Sequence, residues 1–167
     1  MNLSNFSQPE YLHILINHLP IIGLMVVAAL LTVFLLLRNR AAVNALIIAV
    51  AVLALSAWPV LLTGQKAYEK IDHLADETGK AYLDRHMELA ERWIYLYVAT
   101  AIVAGAGVVA ARKRPQLLFP SAIATLVLAA GCLIAGAFIA ENGGMVRHPE
   151  FRSGPPPEAN HLDEHAH

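Results

Sequence analysis

The amino-acid sequence predicts an all-α integral membrane protein, a four-helix bundle running up-down-up-down with both termini on the outer side. Three observations predict it. Hydrophobic residues make up 57% and charged residues only 15% of the 167, with a mean hydropathy of +0.52, against roughly 45–50% and about 25% in soluble domains. Four uncharged runs are long enough for a membrane helix, which takes about 20 residues. Basic residues crowd into the two short connections between those runs.

The runs are Leu19–Leu37, Ala41–Thr63, Trp93–Ala111 and Gln116–Ala140. Each is near-continuous Leu, Ile, Val and Ala, without the alternation of a barrel strand, so helices are the remaining way to satisfy the backbone in lipid. Before the first run, Ser7-Gln8-Pro9-Glu10 has the form of a capping box. It predicts a helix from about residue 8 that kinks or restarts at Pro20, which has no N–H for the carbonyl of Ile16. The loop 64–92 reads as a helical segment Gln65–Asp76, a break near Gly79, and a helix from Ala81 running into the third run. Glu141-Asn142-Gly143-Gly144 reads as a turn returning the chain over the bundle mouth. Trp58, Trp93, Tyr95 and Tyr97 form an aromatic belt, while Ala104-Gly105-Ala106-Gly107 and Gly131…Gly136 supply faces for close helix approach. Residues 1–150 form the membrane domain and 151–167 a Pro- and His-rich tail.

Charge sets the expected orientation. Connections 38–40 and 112–115 hold five of the twelve basic residues and no acid; the other face holds seven basic residues and all thirteen acids. Short basic loops mark the cytoplasmic side, so the termini and loop 64–92 are expected in the periplasm and the protein in a bacterial inner membrane. Met1–Leu12 lacks the basic region of a signal peptide. The net charge of −1 argues against nucleic acid as a partner. One cysteine, Cys132, leaves no intramolecular disulfide. Asn44 and Ser56 are the strongest polar groups within the runs, which contain no Asp, Glu, Lys or Arg. That argues against a proton relay or ion pathway, and no nucleophile–base set suggests an enzyme.

The chemistry that remains is imidazole. All eight histidines (His13, His18, His73, His86, His148, His161, His165 and His167) fall on the outer side. Sidedness alone has a plain explanation, since apolar helices exclude histidine. Four positions say more. His13 and His18 share the first helix, about 140° apart on an ideal helix, with Pro20 free to alter that angle. His86 lies on the face of Trp93 at the start of the third run, and His148 follows the fourth. His18 lies deepest, beside the kink, and is the first choice among them. Imidazole ligates Fe, Zn, Cu and Ni, and bis-histidine haem ligation is a known use of facing helices. His73, in an acidic amphipathic stretch, is a weak metal candidate; His161, His165 and His167 read as solvated tail residues.

The chain resembles an uncharacterised bacterial family of four-helix inner-membrane proteins, classed as a domain of unknown function. The resembling residues are Leu12-His13-Ile14-Leu15-Ile16-Asn17-His18-Leu19-Pro20-Ile21, Gly64, His86 and Gly143-Gly144-Met145-Val146-Arg147-His148. Ile14 stands where the family has Pro, and Pro149 where a Gly is usual. The resemblance implies His13, His18, His86 and His148 as a set, and members are similar to the membrane partners of cytochromes. The expectation is a non-enzymatic electron-transfer subunit. It would bind one or two b-type haems and pass electrons between a membrane donor such as quinol and a periplasmic c-type cytochrome, among other subunits of a complex. The rival reading is a structural or assembly subunit whose histidines hold Zn or Cu, or only hydrogen bonds.

Overall fold

The computed structural model describes residues 6–157. Six helices follow in order: α1 (Pro9–Ile16), α2 (Leu24–Leu36), α3 (Arg40–Leu55), α4 (Ala57–Ile71), α5 (Glu77–Lys113) and α6 (Leu118–Arg147). They combine into four rods, Pro9–Leu36, Arg40–Leu74, Glu77–Lys113 and Pro115–Arg147, each long and apolar enough to cross a membrane. No strand occurs among the described residues.

Proline shapes the first two rods. Gln8 occupies the N-cap position of α1 without a side-chain capping bond, and Pro9 stands in the first turn. A residue before proline is driven to extended backbone, so the start falls one residue later than a Ser7 capping box requires. Pro20 interrupts the first rod as expected. The chain passes through a π turn, Leu19–Gly23, in which the His18 carbonyl accepts from both Ile22 N (2.8 Å) and Gly23 N (3.2 Å). The second rod breaks at Ser56, which the sequence reading did not foresee. Pro59 cannot donate to Leu55, α3 ends there, and the Ser56 hydroxyl donates to the Leu53 carbonyl at 2.6 Å.

The connections are tightly made. Asn39 N bonds Phe34 O and Arg38 N bonds Leu35 O, each at 3.1 Å, closing α2 in a Schellman motif with Arg38 at φ 54°. The Asn39 side chain then caps α3 by accepting from Ala42 N at 3.0 Å. Arg40 donates to the Pro115 carbonyl and lies over the Phe119 ring, so the two basic connections meet at one end of the bundle. At the other end, the break expected near Gly79 falls earlier. Asp76 caps α5 by accepting from Gly79 N at 2.6 Å, which places Gly79 inside the first turn. The expected turn at Gly143-Gly144 is absent. α6 runs through both glycines to Arg147 and stops before Pro149, where the extended bias of a pre-proline residue ends it.

Lipid tails are as apolar as leucine, so close packing rather than water exclusion holds such helices together. The core is Leu24, Leu31, Val43, Ile47 and Val50 against Ala104, Ala122, Ala129 and Cys132. A Cβ on Gly107 would lie 2.7 Å from that of Ser121, and one on Gly136 2.7 Å from the Tyr97 hydroxyl; Gly105, by contrast, faces open space. Leu36, Val52, Ile102 and Val127 are more than 60% exposed, an outward apolar belt suited to lipid contact. Trp58, Trp93 and Tyr95 are exposed, but Tyr97 is buried. It leaves the expected aromatic belt because its hydroxyl donates to the Cys132 carbonyl at 2.7 Å.

The two halves of the bundle pack differently. In the half carrying the basic connections, α2, α3, α5 and α6 close around the core. In the other half α1 packs on α4, α4 on α5 and α5 on α6, while α1 makes no substantial contact with α5 or α6. Pro20 and Pro59 interrupt the first two rods, on either side of which these packings differ.

Candidate functional site

A cavity of about 450 Å³ lies among α1, α4, α5 and α6, within the range of about 300–1,000 Å³ of small-molecule and cofactor sites. Its walls are mostly apolar: Ile14, Pro20 and Ile21 from the first rod, Ala57, Val60 and Leu61 from α4, Leu83, Met87 and Ile94 from α5, Ile139 and Ala140 from α6. A small cluster of Tyr82, Leu83 and Val146, backed by Ile71 and Met145, closes the end away from the main core. His13 from α1 and His86 from α5 both line it.

The two histidines are seated alike. His13 Nδ1 lies 3.0 Å from the Val60 carbonyl, and His86 Nδ1 lies 2.7 Å from the Ile139 carbonyl. A carbonyl only accepts, so each Nδ1 carries the proton and donates. In the neutral ring the lone pair is then on Nε2, the arrangement that second-sphere carbonyls impose on metal-ligating histidines. Neither Nε2 has a hydrogen-bond partner among the described residues. Each ring rests on a glycine one turn after its carbonyl. A Cβ on Gly64 would lie 3.0 Å from His13 Cε1, and one on Gly143 would lie 2.8 Å from His86 Nδ1. The ring centres are 6.4 Å apart and the planes cross at 85°.

The structure thus brings together His13 and His86 and leaves the other candidates elsewhere. His18 is exposed and does not line the cavity; its part in the fold is its carbonyl in the π turn. His148 is carried past the cavity because α6 does not turn at Gly143-Gly144. It is half exposed, bonded to Glu150 at 2.9 Å and stacked on Phe151. His73 is 66% exposed, near Asp72. His161, His165 and His167 lie outside the described residues. Among the described residues, no group of three or more His, Cys, Asp or Glu could hold a metal ion.

Three features escaped the sequence reading. Asn17 lines the cavity with a buried Oδ1 that has no partner. Arg147 lines it as well. Arg152, assigned to the tail, belongs to the packed end. Its side chain is 11% exposed, pairs with both Asp76 oxygens at 2.8 and 2.9 Å, and donates to the Met145 and Val146 carbonyls. Its hydrogen bonds, followed by that from Gly79 N, hold the Asp76 carboxyl below the usual carboxylate range. The signal was present in retrospect: Asp76 and Gly79 stand at cap spacing.

No protein-family model matches the chain, and neither does any curated protein or solved structure.

Proposed function

We propose that this chain is a membrane electron-transfer subunit that binds one b-type haem between His13 and His86. The observation that carries the reading is the imidazole pair. Two imidazoles bound on opposite sides of one metal have ring centres about 6.4 Å apart, given metal–nitrogen bonds of about 2.0–2.1 Å and roughly 1.2 Å from nitrogen to ring centre. The separation here is 6.4 Å. A bare ion bound by two imidazoles would leave the apolar cavity around it without purpose, whereas a planar apolar macrocycle supplies four further ligands and needs such a space. One pair supports one haem rather than two.

When bound, haem supplies a one-electron ferric/ferrous couple. The chain's residues do the rest. Val60 and Ile139 fix the rings through Nδ1 and so leave Nε2 as the atom free to ligate. Gly64 and Gly143 let the rings sit against the helices. The apolar walls exclude water. Were His13 and His86 both to ligate the iron, no site would be left open for a substrate, which suits electron transfer rather than catalysis. The basic connections support placing the opposite, histidine-bearing end at the periplasmic face of a bacterial inner membrane. There the site would lie between a quinol in the bilayer and a periplasmic c-type cytochrome, among the other subunits of a complex.

The test is spectroscopic. The full chain purified in detergent should show the reduced-minus-oxidised spectrum of low-spin b-type haem, with one haem per chain by pyridine haemochrome. His13→Ala and His86→Ala should each lose the low-spin signature, whereas His18→Ala and His148→Ala should keep it. Colourless wild-type protein holding stoichiometric zinc or copper would replace haem with an ion. Colourless, metal-free protein would leave only a structural role for the pair.

A further inference from the structure

We infer that Arg147 is the anion anchor of the cavity, binding the carboxylate end of an amphipathic ligand whose apolar body lies between His13 and His86. The inference rests on the haem reading and deepens it, the carboxylates being the two propionates of the porphyrin.

Arg147 alone carries a permanent charge among the residues lining the cavity. It stands on the last turn of α6, one residue past Val146 of the closing cluster. The deeper lining, Pro20, Ile21, Ala57 and Ile94, is apolar, the Tyr97 hydroxyl is committed to Cys132, and Asn17 adds only an uncharged amide whose buried Oδ1, itself an acceptor, repels a carboxylate. A ligand with one acidic and one apolar end therefore has a single favourable orientation, acid toward Arg147.

An arginine at a helix C-terminus has an ordinary explanation, pairing with the terminal carbonyls and the helix dipole. Here Arg152 does that work on the carbonyls of Met145 and Val146. Of the acids at this end, Glu150 is engaged with His148 and Asp76 with Arg152. Arg147 has no hydrogen bond or ion pair among the described residues. It is exposed, so water can hydrate it without a ligand, and its planar fork matches a carboxylate with two parallel hydrogen bonds.

Full-length chain purified in detergent from haem-limited cells, titrated with haemin and with haemin dimethyl ester, tests this. The ester keeps the ring and the iron but has no carboxylate. Wild-type protein should bind the diacid about fivefold more tightly than the ester, a ratio set by a charge-assisted bond in partial contact with water. Arg147→Gln should bind both with the wild type's affinity for the ester. Arg147→Lys, which keeps the charge and loses the fork, should fall between. A diacid affinity of Arg147→Gln within twofold of wild type, with the spectrum still dependent on His13 and His86, overturns the anchor and leaves the haem site standing. Failure of both porphyrins to give a His13- and His86-dependent spectrum sinks the haem reading, and the anchor with it.

Discussion

Gly143→Ala separates the stability of the bundle from the integrity of the site. The new Cβ would lie 2.8 Å from His86 Nδ1 and 3.0 Å from Cε1, where ordinary contact begins at about 3.4 Å. The ring must withdraw by about 0.6 Å, enough to loosen a 2.7 Å bond to Ile139. Losing that hydrogen bond costs about 0.5–1.5 kcal/mol. Replacing a helical glycine by alanine returns about 0.8–1.0 kcal/mol, so the unfolding midpoint should hardly change. Binding should fall much further, since loss of an orienting partner behind a metal-ligating histidine typically costs 10–100-fold in affinity. Other glycines provide the scale. Gly105→Ala meets nothing within 4 Å, lies outside the cavity lining and should gain stability with the site intact. Gly64→Ala, at 3.0–3.1 Å from His13, should fall between. The assay pairs thermal unfolding by circular dichroism with haem stoichiometry and the reduced-minus-oxidised amplitude. Full haem content in Gly143→Ala, or equal losses in Gly143→Ala and Gly105→Ala, would refute the seating of His86 as described.

Three further outcomes follow from the fold. A reporter active only in the cytoplasm should be active when fused after Arg40 or Arg114 and silent after Ala75; the reverse pattern would move the histidine pair to the cytoplasmic face. Asp76→Asn should destabilise the bundle in a pH-dependent way. A carboxyl whose folded pKa is depressed contributes stability above its unfolded value, 3.8, and loses it as the pH falls through the folded one. The Tm difference between wild type and Asp76→Asn should therefore be constant near neutrality and close below about pH 4; a difference persisting at lower pH would show that the ion pair is not its source. Truncation after Gly154 should leave insertion and haem content unchanged, because the Arg152 clamp is retained, whereas truncation after Arg147 should lower the Tm by removing it.

The helical class, the four spans and the interruption at Pro20 were legible because each rests on local chemistry: apolar length, and a missing N–H. The identity of the paired histidines was not local. His13 and His18 stand about 140° apart, and only the packing of α1 on α4 decides which of them faces inward. Depth in the sequence favoured His18, yet the π turn leaves it exposed. Gly143-Gly144 read as a turn because glycine is a poor helix former. Gly143 is instead a helical residue whose missing Cβ makes room for His86. That reversal decides where His148 goes, as the π turn decides where His18 goes. Arg152 was missed for a related reason: a basic residue before a proline run looks like tail until its partner, Asp76, is known.

The two seats have a common form, and that form constrains the ligand. In each hairpin a histidine on the first helix bonds a carbonyl on the second and rests on the glycine four residues later: His13 with Val60 and Gly64, His86 with Ile139 and Gly143. The hairpins are also joined alike, each through a short basic connection, and those connections touch where Arg40 meets Pro115. Two alike seats leave the same nitrogen unpartnered, with the same proton placement, on two rings whose centres are 6.4 Å apart. A ligand with one strong acceptor direction would use one seat and leave the other histidine as an unpaired polar group in an apolar wall, at a cost of about 1–3 kcal/mol. A planar centre with two opposed axial positions uses both. The duplication thus favours an occupant with two equivalent faces, and Arg147, which has no counterpart on the α1–α4 side among the residues lining the cavity, supplies the asymmetry that orients it within the plane.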